Sequence, residues 1–588
     1  MKSSKLSSNA IKVLEKRYLL KDKSGKVKET PDQLFKRVAK AVARAEENHK
    51  KSEKEMANLE NKFNNIMKNL EFMPNTPTLM NAGTKLGNLS ACYVLPIEDS
   101  IESIFSTLKT AALLHQQAAG TGFSFSKIRP RGELVHSTGG IASGPVSFME
   151  IYDKMTEVMK AGGKRRGANM GTLSIHHPDA LEFIESKTKP GMLENFNISL
   201  TVTDNFMKAV EQNKNFPLID PKTNKITKKL NAKKVFDKIA KSAWKTGDPG
   251  LLFIDEINRK NPTKNLGKIE ATNPCGEIPL HPWEACNLGS INVSKLVEEG
   301  EFNWKKLKEI IPLCIRFLDN VIDISTYPLK QIEDIVKANR RIGIGVMGFA
   351  ECLIKLGIPY NSNEALKFAE KLISFIQEKS YLASQALGKE KGSFPNFKSS
   401  IWSKKYKTMR NATLTTIAPT GTISIIASCS SGIEPLFAIA FMRNVLDKHL
   451  LEVTQTFEEA AKKRKIYSAN LLSKIIKSGS IQKIKEIPPE LKKLFVTALD
   501  IDPEWHVKMQ STFQKHIDNA VSKTINMSSA SSIQEIKKAY MLAWKLKCKG
   551  ITVYRYGSRE NQVLTFTDKK VVAEQEFAGG CEGGVCPH

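Results

Sequence analysis

Along the first eighty residues, apolar positions recur at helical spacing. Leu34, Phe35, Val38, Ala41, Val42 and Ala45 form one stripe, and Met56, Leu59, Phe63, Ile66, Met67 and Leu70 a second. Steps of three and four put such residues on one helix face, and a stripe of this kind is core. Thr30-Pro31-Asp32 opens the first stripe with an N-cap threonine and proline at the first helical position. From about residue 81 the pattern changes to short strand-like runs separated by amphipathic helical stretches. The runs read SACYVLPI, NISLTVT, GLLFID, NATLTTIAP and KGITVYRY. Such alternation predicts an α/β fold with a largely parallel sheet, open or closed. Beyond about residue 560 the chain turns polar and then Gly-rich, ending GGCEGGVCPH, which reads as a mobile tail.

With 588 residues, the chain allows two to four domains or one unusually large barrel with additions. It holds no long apolar run that would span a membrane, and the N-terminus has no apolar core of signal-peptide type, so a cytoplasmic protein is expected. The formal net charge of +28 suits either nucleic acid or polyphosphate ligands drawn by long-range steering. The lysines are interleaved with glutamates and apolar positions, as in KSEKEMANLENK, and no basic block is dense enough to favour direct nucleic-acid binding. Nine cysteines in a large chain of this kind do not read as a disulfide framework. Cys314, Cys352, Cys429 and Cys548 sit in apolar or helical contexts and read as buried thiols. Cys92, Cys275, Cys286, Cys581 and Cys586 sit in loops, turns or the tail, where chemistry is open to them.

The densest chemistry lies in ATNPCGEIPLHPWEACNLGSINVS, residues 271–294. Pro274 pushes Asn273 out of helix and Gly276 permits unusual backbone angles, so a tight loop should lift Cys275 clear with Glu277 beside it. Two buried cysteines in a turn is the plainer alternative. Cys92 starts an apolar strand, and Asp99 reads as a helix N-cap. The run from Asn411 breaks at Pro419, and Thr420-Gly421-Thr422 then leads into a helix start that suits phosphate without a lysine. It lacks the Walker ending. KAGGKRRGANMGTLSI, residues 160–175, is a basic loop leading into a strand, either solvent-facing or an RNA patch. Gly343, Gly345 and Gly348 have dinucleotide-fold spacing but follow a poor strand, so close backbone packing is preferred. His176-His177-Pro178-Asp179 reads as a helix start, and no metal site is assigned. Cys581 and Cys586 form either half of a zinc site or a tethered dithiol, and the absence of a second Cys or His pair nearby favours the dithiol.

NPCGE followed by ACNLGSIN resembles the active-site finger loop of ribonucleotide reductase large (catalytic) chains. TPTLMNAG, GGKRRGANMG and VYRYGSR resemble the adenosylcobalamin-dependent (class II) members. The resemblance implies a ten-stranded α/β barrel of two five-stranded halves (residues 81–560) around a central finger loop. A small helical N-terminal domain (1–80) precedes it, with no room for a separate ATP cone, and a redox tail (561–588) follows. It implies Cys275 as the thiyl radical, Glu277 as general base, Asn273 on the ribose, Cys92 and Cys286 as the reducing dithiol, and Cys581 and Cys586 as the pair that re-reduces it. Thr76, Ala91, Gly120, Thr420, Gly421, Thr422, Ile423 and Ser424 fall at substrate positions. Asp99, Lys127, Arg129, Arg131, Arg165, Arg166 and Asn169 fall at or near positions for a deoxynucleotide (dNTP) effector.

Adenosylcobalamin as cofactor, a ribonucleotide substrate (diphosphates preferred), a thioredoxin or glutaredoxin-like reductant and a homodimer complete the expectation. Class I chains receive the radical through two adjacent tyrosines. Here Arg555 follows Tyr554, so that relay is broken. No glycyl-radical motif is found, and the missing Asp-x-His-x-x-Gly cobalamin motif does not bear on class II. A class I chain and a basic nucleic-acid-binding protein are the rival readings.

Overall fold

The computed structural model describes residues 6–117, 119–135, 139–159, 167–445, 448–558, 564–566 and 571–573. Three N-terminal helices, α1 (Ser8–Arg17), α2 (Pro31–Ala43) and α3 (Glu53–Lys68), form where the stripes predict them. Thr30 caps α2 in a full capping box with Gln33, and Ser52 does the same for α3 with Glu55. Their buried faces pack on the helix Trp304–Ile324, where Phe317 takes Phe63 and Phe72 edge-on.

The rest is built around one sheet. In the first half β1 (Cys92–Leu95), β2 (Gly120–Ser124), β3 (Asn169–Ser174), β4 (Phe196–Val202) and β5 (Gly250–Phe253) run parallel in sequence order. In the second half β6 (Ala285–Asn292) pairs parallel with β7 (Ile342–Met347), and β8 (Thr524–Met527) pairs parallel with β9 (Gly550–Arg555). Single parallel bridges, Ile344 to Thr415 and Ile417 to Val521, carry the circuit from β7 through the extended segment 413–417 to the chain entering β8. The halves meet antiparallel, β1 on β6 and β5 on β9. The ring therefore closes, five extended segments to each half. Helices α4 (Ile101–Gln116), α5 (Pro145–Met159) and α6 (Ala232–Thr246) belong to the outer layer. β4 is buried along its whole length, as a strand covered on both faces must be.

Several elements depart from the sequence reading. NATLTTIAP makes single bridges in place of a full strand: the Ile417 N–H donates to the Ala520 carbonyl, and the Ser522 N–H to the Ile417 carbonyl. GLLFID ends as strand at Phe253, and Ile254–Arg259 is helical. Part of the stretch expected as tail is strand: Leu564–Phe566 and Val571–Ala573 join Ala440–Val445 and Lys448–Val453 in a four-stranded sheet. Gly343 and Gly345 lie within β7, where a Cβ would come within 2.6 Å of the Thr416 side chain and 2.4 Å of its carbonyl oxygen, so they serve close packing.

Candidate active site

Between β5 and β6 the chain turns into the barrel as a hairpin, Ala271–Thr272 paired antiparallel with Pro279–Leu280. Asn273 shapes its tip. Its Oδ1 accepts the Ile278 N–H at 3.0 Å, and its carbonyl accepts the Gly276 N–H at 3.0 Å. Gly276 has φ +80°, the left-handed region that glycine enters without a Cβ penalty. Both halves grip the hairpin. From the first, Asn197 Nδ2 donates to the Pro274 carbonyl (2.8 Å) and Thr172 Oγ1 to the Glu270 carbonyl (3.1 Å). From the second, Thr416 Oγ1 (3.0 Å) and the Ala520 N–H (2.8 Å) both donate to the Glu277 carbonyl.

This places four of the predicted side chains together. Asn273, fully buried, donates from Nδ2 to Glu277 Oε2 at 2.7 Å and lies 3.2 Å from Cys92 Sγ. Cys92 and Cys286 are directly opposite across the β1–β6 seam. Cys286 Sγ sits 3.5 Å from the carbonyls of Asn287 and Arg341. Burial pushes its thiol far above the ordinary range, against the pull of the Arg341 guanidinium, so it stays protonated. Cys275 is half-exposed and lines a cleft open to solvent, whose walls include Asn197, Asp248, Gln510, Lys523 and Thr552. No disulfide joins the described cysteines.

Behind Cys286 lies a network that the sequence reading missed. Arg341, almost fully buried, donates from Nε to Glu284 (2.7 Å) and from its terminal nitrogen to Thr263 Oγ1 (2.6 Å). Glu284 Oε2 accepts the His281 N–H at 2.9 Å, which fixes the return limb of the hairpin. A buried charge so placed demands a partner. The signal was present in the arginines preceding β7, which read only as a poor strand.

Several of the positions expected to contact substrate lie near the hairpin. Ala418 belongs to one buried cluster with Val94, Ile278, Leu280 and Cys286, which brings the following turn to the hairpin. Thr420 holds φ +58° and is fixed by the Gly432 N–H donating to its Oγ1 at 2.7 Å. Gly421, Thr422, Ile423 and Ser424 begin the short helix Gly421–Ala427 and are buried, with Ser424 Oγ against Ser431 Oγ. Ala91 precedes Cys92, and its carbonyl accepts the Gly120 N–H at 2.9 Å. A Cβ on Gly120 would meet Pro274 at 3.0 Å. Thr76 Oγ1 shares a hydrogen bond with Tyr18 Oη at 2.9 Å.

Among the positions expected to contact an effector, Asp99 accepts from Arg129 Nε (2.8 Å) and from its backbone N–H (3.1 Å). Asp99 is not the cap of α4. Ser100 is, because its hydroxyl reaches the Ser103 N–H. Lys127 pairs with Glu98, and Arg131 with Glu182. Asn169, expected among the effector contacts, is fully buried at the start of β3 and bonded to Thr121 and Thr156. It is an interior link, not a group presented to solvent. Arg165, Arg166, Cys581 and Cys586 lie outside the described residues. The His176 and His177 rings are taken up by Pro217, Thr203 and Ile128. Arg555 lies against Trp244, its guanidinium 4.0 Å from the ring and its Nε donating to the Trp244 carbonyl at 3.0 Å.

A closed ten-stranded α/β barrel with a cysteine-bearing hairpin at its centre defines a class, and family comparison agrees. The ribonucleotide reductase all-alpha domain matches residues 4–87 and the ribonucleotide reductase barrel domain residues 90–554. The chain belongs to the ribonucleotide reductase large-chain family: it is an oxidoreductase whose substrate is a ribonucleotide and whose reaction consumes a reductant. It is 51% identical over 617 residues to the vitamin B12-dependent ribonucleoside-diphosphate reductase of Thermoplasma acidophilum, covering 95% of this chain and 80% of that one. It is 47% identical to the protein of the same name from Mycobacterium tuberculosis, covering 99% of this chain and 83% of that one. Against the Actinobacillus ureae class Id ribonucleotide reductase alpha subunit the TM-score is 0.78 at 23% identity, covering 94% of this chain and 97% of that one, a likeness of fold.

Proposed function

We propose that the chain reduces ribonucleoside diphosphates to 2′-deoxyribonucleotides with adenosylcobalamin as the radical source. The observation that carries this is the hairpin tip, where one amide, Asn273 Nδ2, spans Glu277 and Cys92 while Cys286 stands opposite Cys92. A ribose 2′-hydroxyl is a poor leaving group on an unactivated carbon, and radical chemistry overcomes this. Cys275, as a thiyl, removes the 3′-hydrogen. Glu277 accepts the 3′-hydroxyl proton, with Asn273 holding the carboxylate and the ribose. The 2′-hydroxyl leaves as water with a proton from the Cys92/Cys286 pair, whose protonated state the burial of Cys286 favours. The pair gives two electrons and closes to a disulfide, and Cys275 recovers its radical when the hydrogen returns to C3′. Cys581 and Cys586 then reopen the disulfide by exchange, and a thioredoxin or glutaredoxin-like donor resets them.

The cleft beside Cys275 fits the cofactor's chemistry. Asn197 Oδ1 and Gln510 Oε1 are buried acceptors on its wall with no hydrogen-bond partner in the protein, and Asp248 adds a carboxylate. These suit the amine and hydroxyl donors of an adenosyl group, which when bound supplies the first radical. The class I alternative is disfavoured by Arg555, which Trp244 already holds. Ile101, Phe105 and Leu113 on α4 and Ile151 and Val158 on α5 are exposed apolar residues, which supports a homodimer paired through these helices. Asp99 and Arg129, at the head of α4, are the effector contacts we assign there. The same reading makes the protein cytoplasmic.

The test is reduction of CDP and GDP by the purified chain with dithiothreitol, with and without adenosylcobalamin. Deoxynucleotide formed only with the cofactor is the expected result. No product, with dNTP effectors present and triphosphates also tried, would mean that a separate radical subunit is required.

A further inference from the structure

A directed run of buried hydrogen bonds leaves α4, crosses two strands and α5, and returns to α4. His115 Nε2 lies 2.8 Å from Thr121 Oγ1. Thr121 Oγ1 donates to Asn169 Oδ1 at 2.8 Å, so His115 must be the donor to Thr121 and carries its proton on Nε2. Asn169 Nδ2 donates to Thr156 Oγ1 (2.7 Å), Thr156 Oγ1 to the Tyr152 carbonyl (2.8 Å), and Tyr152 Oη to the Ile104 carbonyl (2.6 Å). His115, Thr121, Tyr152, Thr156 and Asn169 are all buried. His115 Nδ1 has no hydrogen-bond partner and lies against Gly167, where a Cβ would sit 2.2 Å away.

The inner face of β2 meets the active site. While Thr121 enters this run, Gly120 and Gly122 on either side lie against Pro274 and the Thr272 carbonyl of the hairpin. The outer ends of the run are α4 and α5, the helices that expose Ile101, Phe105 and Val158. Each link has one donor direction, so a small shift of either helix must break a buried bond or move β2 with it.

We propose that Thr121 and Asn169 are positioning residues that tie the exposed face of α4 and α5 to the finger hairpin, so that a deoxynucleotide bound at that face changes substrate preference through β2. This rests on the effector reading given under Proposed function. The test uses the full chain with adenosylcobalamin and compares wild type with Thr121→Val, Thr121→Ser and Thr156→Val. For each we would measure dNTP affinity by equilibrium dialysis, melting temperature, and the change in the CDP-to-GDP ratio of kcat/KM that each dNTP produces. In wild type that change should fall in the range of about 5- to 150-fold typical of coupled sites. In Thr121→Val and Thr156→Val it should shrink by at least about threefold while dNTP affinity holds, and Thr121→Ser should restore it. A wild-type response in both valine variants overturns the network alone. A wild-type protein that binds no dNTP or shows no shift overturns the effector reading, and the network with it.

Discussion

Asn273 divides one side chain among four neighbours: Oδ1 takes the Ile278 N–H and the Thr272 hydroxyl, and Nδ2 holds Glu277 and touches Cys92. Asn273→Ala therefore removes the turn's internal acceptor and leaves a buried carboxylate short of a donor, at a stability cost of about 1–3 kcal/mol. Because the carboxylate it orients is the assigned base, turnover should fall by about 10²-fold or more. Steady-state rates and a melting curve check both, and a variant with near wild-type kcat would remove Asn273 from the chemistry. His115 gives a second residue-level expectation. Burial lowers its pKa from the usual 6.5 to about 4, so the folded protein binds no proton there between those values while the unfolded chain does. Stability from this group is thus complete above pH 6.5 and is lost as pH falls toward 4, about 1.4 kcal/mol per unit. His115→Gln should flatten the drop in melting temperature between pH 7 and pH 5. Equal drops in the two proteins would show that other groups govern the acid limb. The tight turn that carries Asn273, Cys275 and Glu277 was legible because Pro274 and Gly276 are local signals, while the roles expected of the three came from the family resemblance. Arg341 and His115 were not, since a buried polar side chain declares itself only through partners distant in the chain.

Elements were legible where side chains fill space and obscure where backbone does. The helical stripes of α2 and α3, and the apolar outward face of β4, pack against ordinary cores, so their periodicity reports their place. β2, β6 and β7 read GTGFS, ACNLGSIN and IGIGVM. Their small residues look like weak strands, yet they are small because a neighbour lies against each: the Thr272 carbonyl at Gly122, the Phe72 ring at Gly289 and the Thr416 carbonyl at Gly345. A Cβ on Gly122 would sit 1.9 Å from the Thr272 carbonyl oxygen and 2.8 Å from its carbon, and backbone atoms cannot swing aside as a side chain does. Gly122→Ala should therefore displace the finger hairpin and abolish turnover. Gly357, at φ +75° with nothing within 4 Å, provides the comparison. Gly357→Ala meets only left-handed backbone strain of about 1–2 kcal/mol and should keep kcat near wild type. If both variants retain activity, the hairpin does not need the close approach to β2.

At the scale of the whole molecule, the interior is nearly balanced in charge and the surface is not. Inside, Asp319 takes Arg340 (2.9 Å) and Arg410 (3.0 Å), Lys523 pairs with Glu434, and Lys187 with Asp248 (2.9 Å). With 89 basic and 61 acidic residues, most of the excess of 28 must lie outside these pairs, facing solvent. A surface field of that sign draws polyphosphate anions toward the barrel mouth and accelerates encounter without touching the chemical step. Screening shortens its reach from about 30 Å at 0.01 M ionic strength to about 8 Å at 0.15 M. For a nucleoside diphosphate, kcat/KM should therefore fall severalfold as salt rises across that range, while kcat at saturation stays level. The pattern separates steering from catalysis, because loss of an ion pair in the site would lower kcat as well. A kcat/KM that stays flat across that range would mean that the lysine-rich surface serves something other than substrate capture.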